Sequence, residues 1–185
     1  MALFRASVAV GIALGLSSLA GCSAPDTLAQ NYGEVAEQDY FSSDGAFSFF
    51  AAANRSEPVV FGGATDMGGV WSSSDYTGDP IVVNFWFAGC PPCRLEASDL
   101  AQMHKDFVGD GVQFIGVNIL DERETALTFA REFGIEYPSI MDVSEGQVRL
   151  AFAGKASPNA VPTTVVLDRN HRVAARVNGL ITDVG

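Results

Sequence analysis

The sequence predicts an α/β domain, a sandwich built on a mixed central sheet, and three observations predict it. Residues 81–87, IVVNFWF, are almost continuously apolar over the length of one strand, as expected for a strand covered on both faces. After a tight turn, Leu95, Leu100, Met103 and Phe107 recur at helical spacing. Strand-like and helix-like segments then alternate and close on an antiparallel pair, the order of an α/β fold.

Length and charge set the bounds. A chain of 185 residues with 48% apolar content can bury one core and is short for two. Its net charge of -11 repels phosphate backbones and anionic membrane surfaces, so nucleic-acid binding is not expected.

The N-terminal residues have a different composition. Arg5 precedes an apolar run over residues 6–16 and then small residues, the layout of a secretory signal over residues 1–21. The run is shorter than the roughly 20 residues that cross a bilayer, although a short uncleaved anchor has a similar pattern. Residues 22–57 read as an acidic, mostly solvated tether. There Asp26, Glu34, Glu37, Asp39, Asp44 and Glu57 stand against Arg55 alone. Within it, residues 46–53 are rich in Phe and suited to packing locally or against the domain. Residues 58–185 remain as the folded unit, of ordinary domain size.

Along that unit, residues 59–61 and the stretch around Val70 and Trp71 flank a turn rich in Gly and Asp and suggest an N-terminal hairpin. Residues 81–87 form the central strand, followed by the helix that starts at the cysteine pair. Residues 112–120 read as a second buried strand. Residues 124–133 read as a helix stopped by Gly134. A short strand at 138–141 and a helix at 147–152 follow. Residues 163–167 and 172–177 form the closing antiparallel pair, turned at Asp168-Arg169-Asn170-His171.

The chemistry centres on cysteine. There are three: Cys22, Cys90 and Cys93. Cys90-Pro91-Pro92-Cys93 sits where a strand turns into a helix, so its two sulfurs come within disulfide reach across one turn. Cys90 lies near unpaired backbone N–H groups and the positive end of the helix dipole. Cysteines in such places have pKa values of roughly 3.5 to 7.5 instead of about 8.5 and act as nucleophiles at neutral pH. Cys93, one turn deeper, is expected to be more buried and to react second. Pro91 and Pro92 fix backbone φ and withhold N–H donors where a first helical turn tolerates it. Two other readings of the pair stay open here, half of a zinc site and a purely structural disulfide. Zinc wants four ligands, and the only histidines are His104 and His171, so no metal is expected.

The stretch NFWFAGCPPCRLEA, residues 84–97, resembles the active-site segment of the TlpA/ResA/CcmG group of thioredoxin-like proteins. Val161-Pro162-Thr163-Thr164 before a strand is similar to that group's cis-proline loop. The resemblance covers approximately residues 58–182, including a helix–strand insert near residues 125–142. It implies a thioredoxin-like three-layer sandwich and thiol-disulfide exchange without a cofactor, through a Cys90–Cys93 disulfide. It implies that Pro162 is cis and that Val161, Pro162 and Trp86 adjoin the substrate. It also implies that Glu96, three residues after Cys93, influences the thiols and can take the Cys93 proton. A solvated helix carboxylate is the plainer reading of Glu96, and Arg94 is expected at the surface. Leu19-Ala20-Gly21-Cys22 resembles the bacterial lipobox, which implies that Cys22 is lipidated and holds the protein on the outer side of the cell membrane. An ordinary signal peptidase site nearby, leaving Cys22 in the tail or discarded with the signal, is the plainer reading.

The chain departs from the group in places. Gly89 stands where many relatives carry Trp. Asn84 stands where thioredoxin has a buried Asp, and since an amide takes up no proton, Glu96 becomes the stronger candidate base. The sequence stops at Gly185, where relatives continue into a C-terminal helix from near Thr182, so that helix is expected to be missing. The implied partners are exported protein thiols and disulfides, apocytochrome c among them, and a membrane thiol-disulfide electron donor. The leading function is a disulfide reductase, with a disulfide oxidase in exported-protein folding as the alternative. A peroxiredoxin-type peroxidase usually has Thr or Ser three residues before its reactive Cys, where this chain has Phe87. A non-catalytic binding lipoprotein is the remaining class.

Overall fold

The computed structural model describes residues 38–44, 46–156 and 158–181. Its strands are β1 (Tyr40–Phe41), β2 (Phe47–Phe49), β3 (Gly62–Ala64), β4 (Val70–Ser72), β5 (Ile81–Trp86), β6 (Gln113–Asn118), β7 (Ser139–Met141), β8 (Thr163–Leu167) and β9 (Val173–Asn178). Its α-helices are α1 (Pro91–Phe107), α2 (Arg123–Phe133) and α3 (Gln147–Ala151). The main sheet has seven strands in the order β1-β2-β9-β8-β5-β6-β7, and β3 and β4 form a separate antiparallel pair. β5 runs parallel to β6 and antiparallel to β8. The sheet is therefore mixed, with the apolar run of β5 inside it and every β5 residue buried.

Alternation along the strands divides the core. Ile81, Val83, Phe85, Ile115, Val117, Val165 and Leu167 point to one face, where Phe61, Trp71, Val148 and Phe152 cover them. This face is closed by the β3–β4 hairpin and α3. Trp86 faces the other way and packs with Cys90, Cys93 and Ala97 of the α1 region and with Ala126 and Phe129 of α2. The result is a three-layer sandwich whose reactive pair lies on the α1 and α2 side. Among the described residues no helix is long and apolar enough to cross a membrane.

Several expectations are corrected. The hairpin pairs Gly62–Ala64 with Val70–Ser72, later than residues 59–61. A Cβ on Gly62 would lie 2.6 Å from the Trp71 carbonyl oxygen, so only glycine allows these backbones to meet there. Val59 and Phe61 enter the core from irregular chain just before it.

The tether does not extend to residue 57. β2 pairs with β9, with Phe47 opposite Val177 and Phe49 opposite Ala175. Arg55 forms an ion pair of 3.0 Å with Asp168, in the turn between β8 and β9. The sheet needed a partner for β9, and the Phe-rich segment supplies it.

The apolar face of α1 is also rotated from the expected one. Its buried residues are Cys93, Glu96, Ala97, Leu100 and Ala101, whereas Leu95 is 70% and Phe107 46% exposed. Hydrogen bonds let a carboxylate replace a hydrocarbon on the inner face. The signal, Cys22 and the tether as far as residue 37 lie outside the described residues, as do residues 182–185, so the expectation about a C-terminal helix falls outside them too.

Candidate active site

The site begins with backbone geometry at the carboxyl end of β5. The chain turns there, with the Cys90 N–H donating to the Phe87 carbonyl at 3.1 Å. Cys90 is the N-cap of α1, extended at φ -81°, and its Sγ accepts from the Cys93 N–H at 3.2 Å. Pro91 and Pro92 occupy the first helical positions, whose N–H groups would have no helical partner anyway.

Cys90 and Cys93 are joined in a disulfide, with Cα atoms 5.3 Å apart. Each is only 2% exposed, so the expected difference in burial does not exist in the oxidised pair. On reduction, a thiolate at Cys90 faces the unpaired amides of a helix start, the setting that lowers a thiol pKa.

Trp86, expected beside the substrate, is only 4% exposed. Its indole is buried against Phe129, with ring centroids 4.4 Å apart, and Nε1 donates to Ser139 Oγ at 3.2 Å. As the last residue of β5 it supports the cysteine pair from behind. The loop in front is pinned by Asp121, whose Oδ2 accepts from the Ala88 N–H at 2.6 Å and from Asn118 Nδ2 at 2.8 Å. The sequence reading missed Asp121. The one signal for it was a carboxylate at the end of a buried parallel strand, beside the turn it braces.

Glu96 is a buried carboxylate, 1% exposed, and not a solvated one. Oε1 accepts from Asn84 Nδ2 at 2.9 Å, and Oε2 accepts from the Ile181 N–H at 3.0 Å. Burial raises its pKa above the ordinary value, against the lowering effect of the bonds from Ile181 and Asn84. The Asn84 amide also donates to Thr164 Oγ1 at 3.0 Å, which joins β5, β8 and α1 at one polar point. Ile181 is a partner that sequence spacing could not reveal, because it arrives from the far end of the chain.

The Val161–Pro162 bond is cis. The Pro162 carbonyl accepts from the Gly179 N–H at 2.8 Å, which anchors the loop to the end of β9. Val161 packs against the cluster that holds Cys90 and Cys93. Among the described residues its N–H and C=O have no hydrogen-bond partner. Arg94 is at the surface, paired with Glu132 at 2.6 Å and lying 5.0 Å from the Phe133 ring centroid. Among the described residues no group of side chains forms a metal-ligand cluster. The arrangement offers a redox-active sulfur pair, a buried carboxylate one turn along the helix, and an open stretch of backbone beside the pair.

Comparison with known proteins agrees with this chemistry. Residues 51–176 match the AhpC/TSA family. The thiol-disulfide oxidoreductase ResA of Bacillus subtilis is 30% identical over 110 residues, 60% of this chain and 59% of that protein. The chain spans about 60% of the length of the curated relatives it matches. Among solved structures, a secreted thiol-disulfide isomerase from Corynebacterium glutamicum is 31% identical with a TM-score of 0.69, over 77% of this chain and 89% of that one. A DsbF homologue from Corynebacterium diphtheriae is 32% identical with a TM-score of 0.66, over 77% and 90%. The chain thus has a thioredoxin-like fold and belongs to the AhpC/TSA family, among relatives named as thiol-disulfide oxidoreductases.

Proposed function

We propose that the protein reduces disulfides of exported proteins on the outer side of the cell membrane, by dithiol exchange through Cys90 and Cys93. The observation that carries this reading is the Cys90–Cys93 disulfide at the N-cap of α1, with Val161 packed against the same cluster.

In the reduced protein the Cys90 thiolate attacks a substrate sulfur. A mixed disulfide forms and the other substrate sulfur leaves as a thiolate that takes a proton from solvent. Cys93 then attacks Cys90 Sγ, forming the internal disulfide and expelling the second substrate thiolate. Two electrons have passed to the substrate, and a membrane thiol-disulfide donor returns them to the pair. In this reading Glu96 accepts the Cys93 proton, supported by the burial that makes its carboxylate more basic than an exposed one. The free backbone of Val161, beside cis-Pro162, suits pairing with an extended substrate chain.

The lipid anchor is part of the proposal and rests on Leu19-Ala20-Gly21-Cys22. Apocytochrome c, with thiols that must be reduced before haem attachment, is the substrate proposed by resemblance to the TlpA/ResA/CcmG group.

The test is reduction of a protein disulfide by the wild-type chain, Cys90→Ser and Cys93→Ser. We expect Cys90→Ser to be inactive and Cys93→Ser to accumulate a mixed disulfide with substrate. Exchange that survives Cys90→Ser would overturn the reading.

A further inference from the structure

A half-buried cation normally sits beside an anion, and this chain has an excess of acidic residues to supply one. Arg55 and Arg172 are each paired with Asp168 at 3.0 Å, and Arg149 is paired with Asp142 at 3.1 Å. Lys155 and Arg176 are also half-buried, yet among the described residues neither has a carboxylate within ion-pair distance. Arg176 Nη1 donates to the Lys155 carbonyl at 3.5 Å and Nη2 donates to Ser48 Oγ at 3.3 Å, both long bonds, and its buried Nε has no partner. The guanidinium is held in place without being neutralised.

Both cations line one surface pocket of about 240 Å³. Phe41, Phe50 and Val173 form apolar parts of its wall, with the Phe41 and Phe50 rings edge to face at a centroid distance of 5.9 Å. Phe41 is 57% exposed, so part of that wall has no cover. The carboxylate tied to the pocket's rim is Asp39, which accepts from Asn54 Nδ2 at 3.2 Å and from the Ala51 N–H at 2.8 Å and pairs with neither cation. Val173 belongs to the core cluster on the α3 face of the sheet, whereas Cys90 and Cys93 belong to the cluster on the other face. The pocket is therefore separate from the redox pair.

We propose that this pocket binds a small organic carboxylate, with its acid group on Lys155 and Arg176 and its apolar body against Phe41, Phe50 and Val173. A guanidinium presents N–H donors that match the two oxygens of a carboxylate, and the ammonium adds a point charge. An inorganic anion would answer the cations and leave the aromatic wall open, and a neutral apolar molecule would do the reverse. The volume lies below the roughly 300 Å³ at which sites for drug-sized ligands begin, so the ligand is a single ring or a short chain. The net charge of -11 repels anions at long range, so the affinity comes from contacts inside the pocket.

The experiment is calorimetric titration of the full chain with three probes. These are 3-phenylpropionate, 3-phenylpropan-1-ol as the same body without the charge, and acetate as the charge without the body. We expect saturable binding of 3-phenylpropionate with a Kd of about 1 mM or below, and at least tenfold weaker binding of the other two. Lys155→Met keeps most of the side-chain stem and removes its charge. The Lys155 side chain bonds to no described residue, so the variant should fold. It should bind 3-phenylpropionate about tenfold more weakly and the alcohol as the wild type does.

Absence of saturable 3-phenylpropionate binding overturns the proposal, and so does equal binding of the acid and the alcohol by the wild type. Equal affinity of the wild type and folded Lys155→Met for the acid overturns it as well. If Lys155→Met does not fold, backbone amide NMR shifts of the wild type during the titration decide. Changes centred on Phe41, Phe50, Lys155 and Arg176 support the inference, and changes confined to other residues refute it.

Discussion

Asn84 Nδ2, at the centre of the sheet, donates to Glu96 Oε1 at 2.9 Å and so fixes the second turn of α1 to β5 just behind the cysteine pair. The donor has to be an amide. An ionised carboxylate such as Glu96 only accepts, so a neighbour that also only accepts would leave both groups buried and unpaired.

Asn84→Asp is therefore a severe change despite its size. Two carboxylates at this distance cannot both ionise, and together they bind a proton into the neutral range. We expect the variant to be destabilised by about 1 to 3 kcal/mol at neutral pH and to recover at acid pH, where the shared proton restores a donor. Urea unfolding at two pH values measures it, and equal losses at both would contradict the geometry.

Glu96→Gln tests the other partner. Unfolded, Glu96 ionises near its ordinary value of 4.5, whereas burial raises that value in the folded protein. Between the two values the folded chain keeps a proton that the unfolded chain has lost. Wild-type stability therefore falls as pH rises through that window, and the loss persists above it. Glutamine carries no such charge, so the stability of Glu96→Gln relative to wild type should improve as pH rises across the window. A difference that does not vary with pH would show that Glu96 is not raised.

Cys22→Ala tests the anchor. Lipid on that residue would hold the chain to the membrane, so its removal should release the protein into the soluble extracytoplasmic fraction. A variant that stays fully membrane-bound would favour an uncleaved N-terminal anchor.

The sheet centre and the reactive pair were legible because their signals are local. β5 is an unbroken apolar run, Cys90 and Cys93 are set by spacing at a strand-to-helix turn, and Gly134 ends α2 with φ +69° as a stop residue should. The cis bond at Pro162 followed from the resemblance alone, since an isolated X–Pro bond is normally trans.

What stayed hidden depends on distant parts of the chain. β2 joins the main sheet through β9, with 128 residues separating Ser48 from its partner Arg176. Glu96 is buried because Asn84 and Ile181 meet it from other elements, and that burial turned the face of α1 away from Leu95 and Phe107. Trp86 was expected beside the substrate from the resemblance to the TlpA/ResA/CcmG group. The period of two along β5 turns its side chain inward, onto Phe129.

The direction of electron flow is the centre of the account, and the reduction potential of the Cys90–Cys93 pair, equilibrated against glutathione, tests it most directly. A reductase requires a value near or below the thioredoxin end of the range, about -270 mV, where the dithiol gives up electrons readily. A value near the oxidising end, about -120 mV, would contradict it and make the protein a disulfide donor to its exported partners.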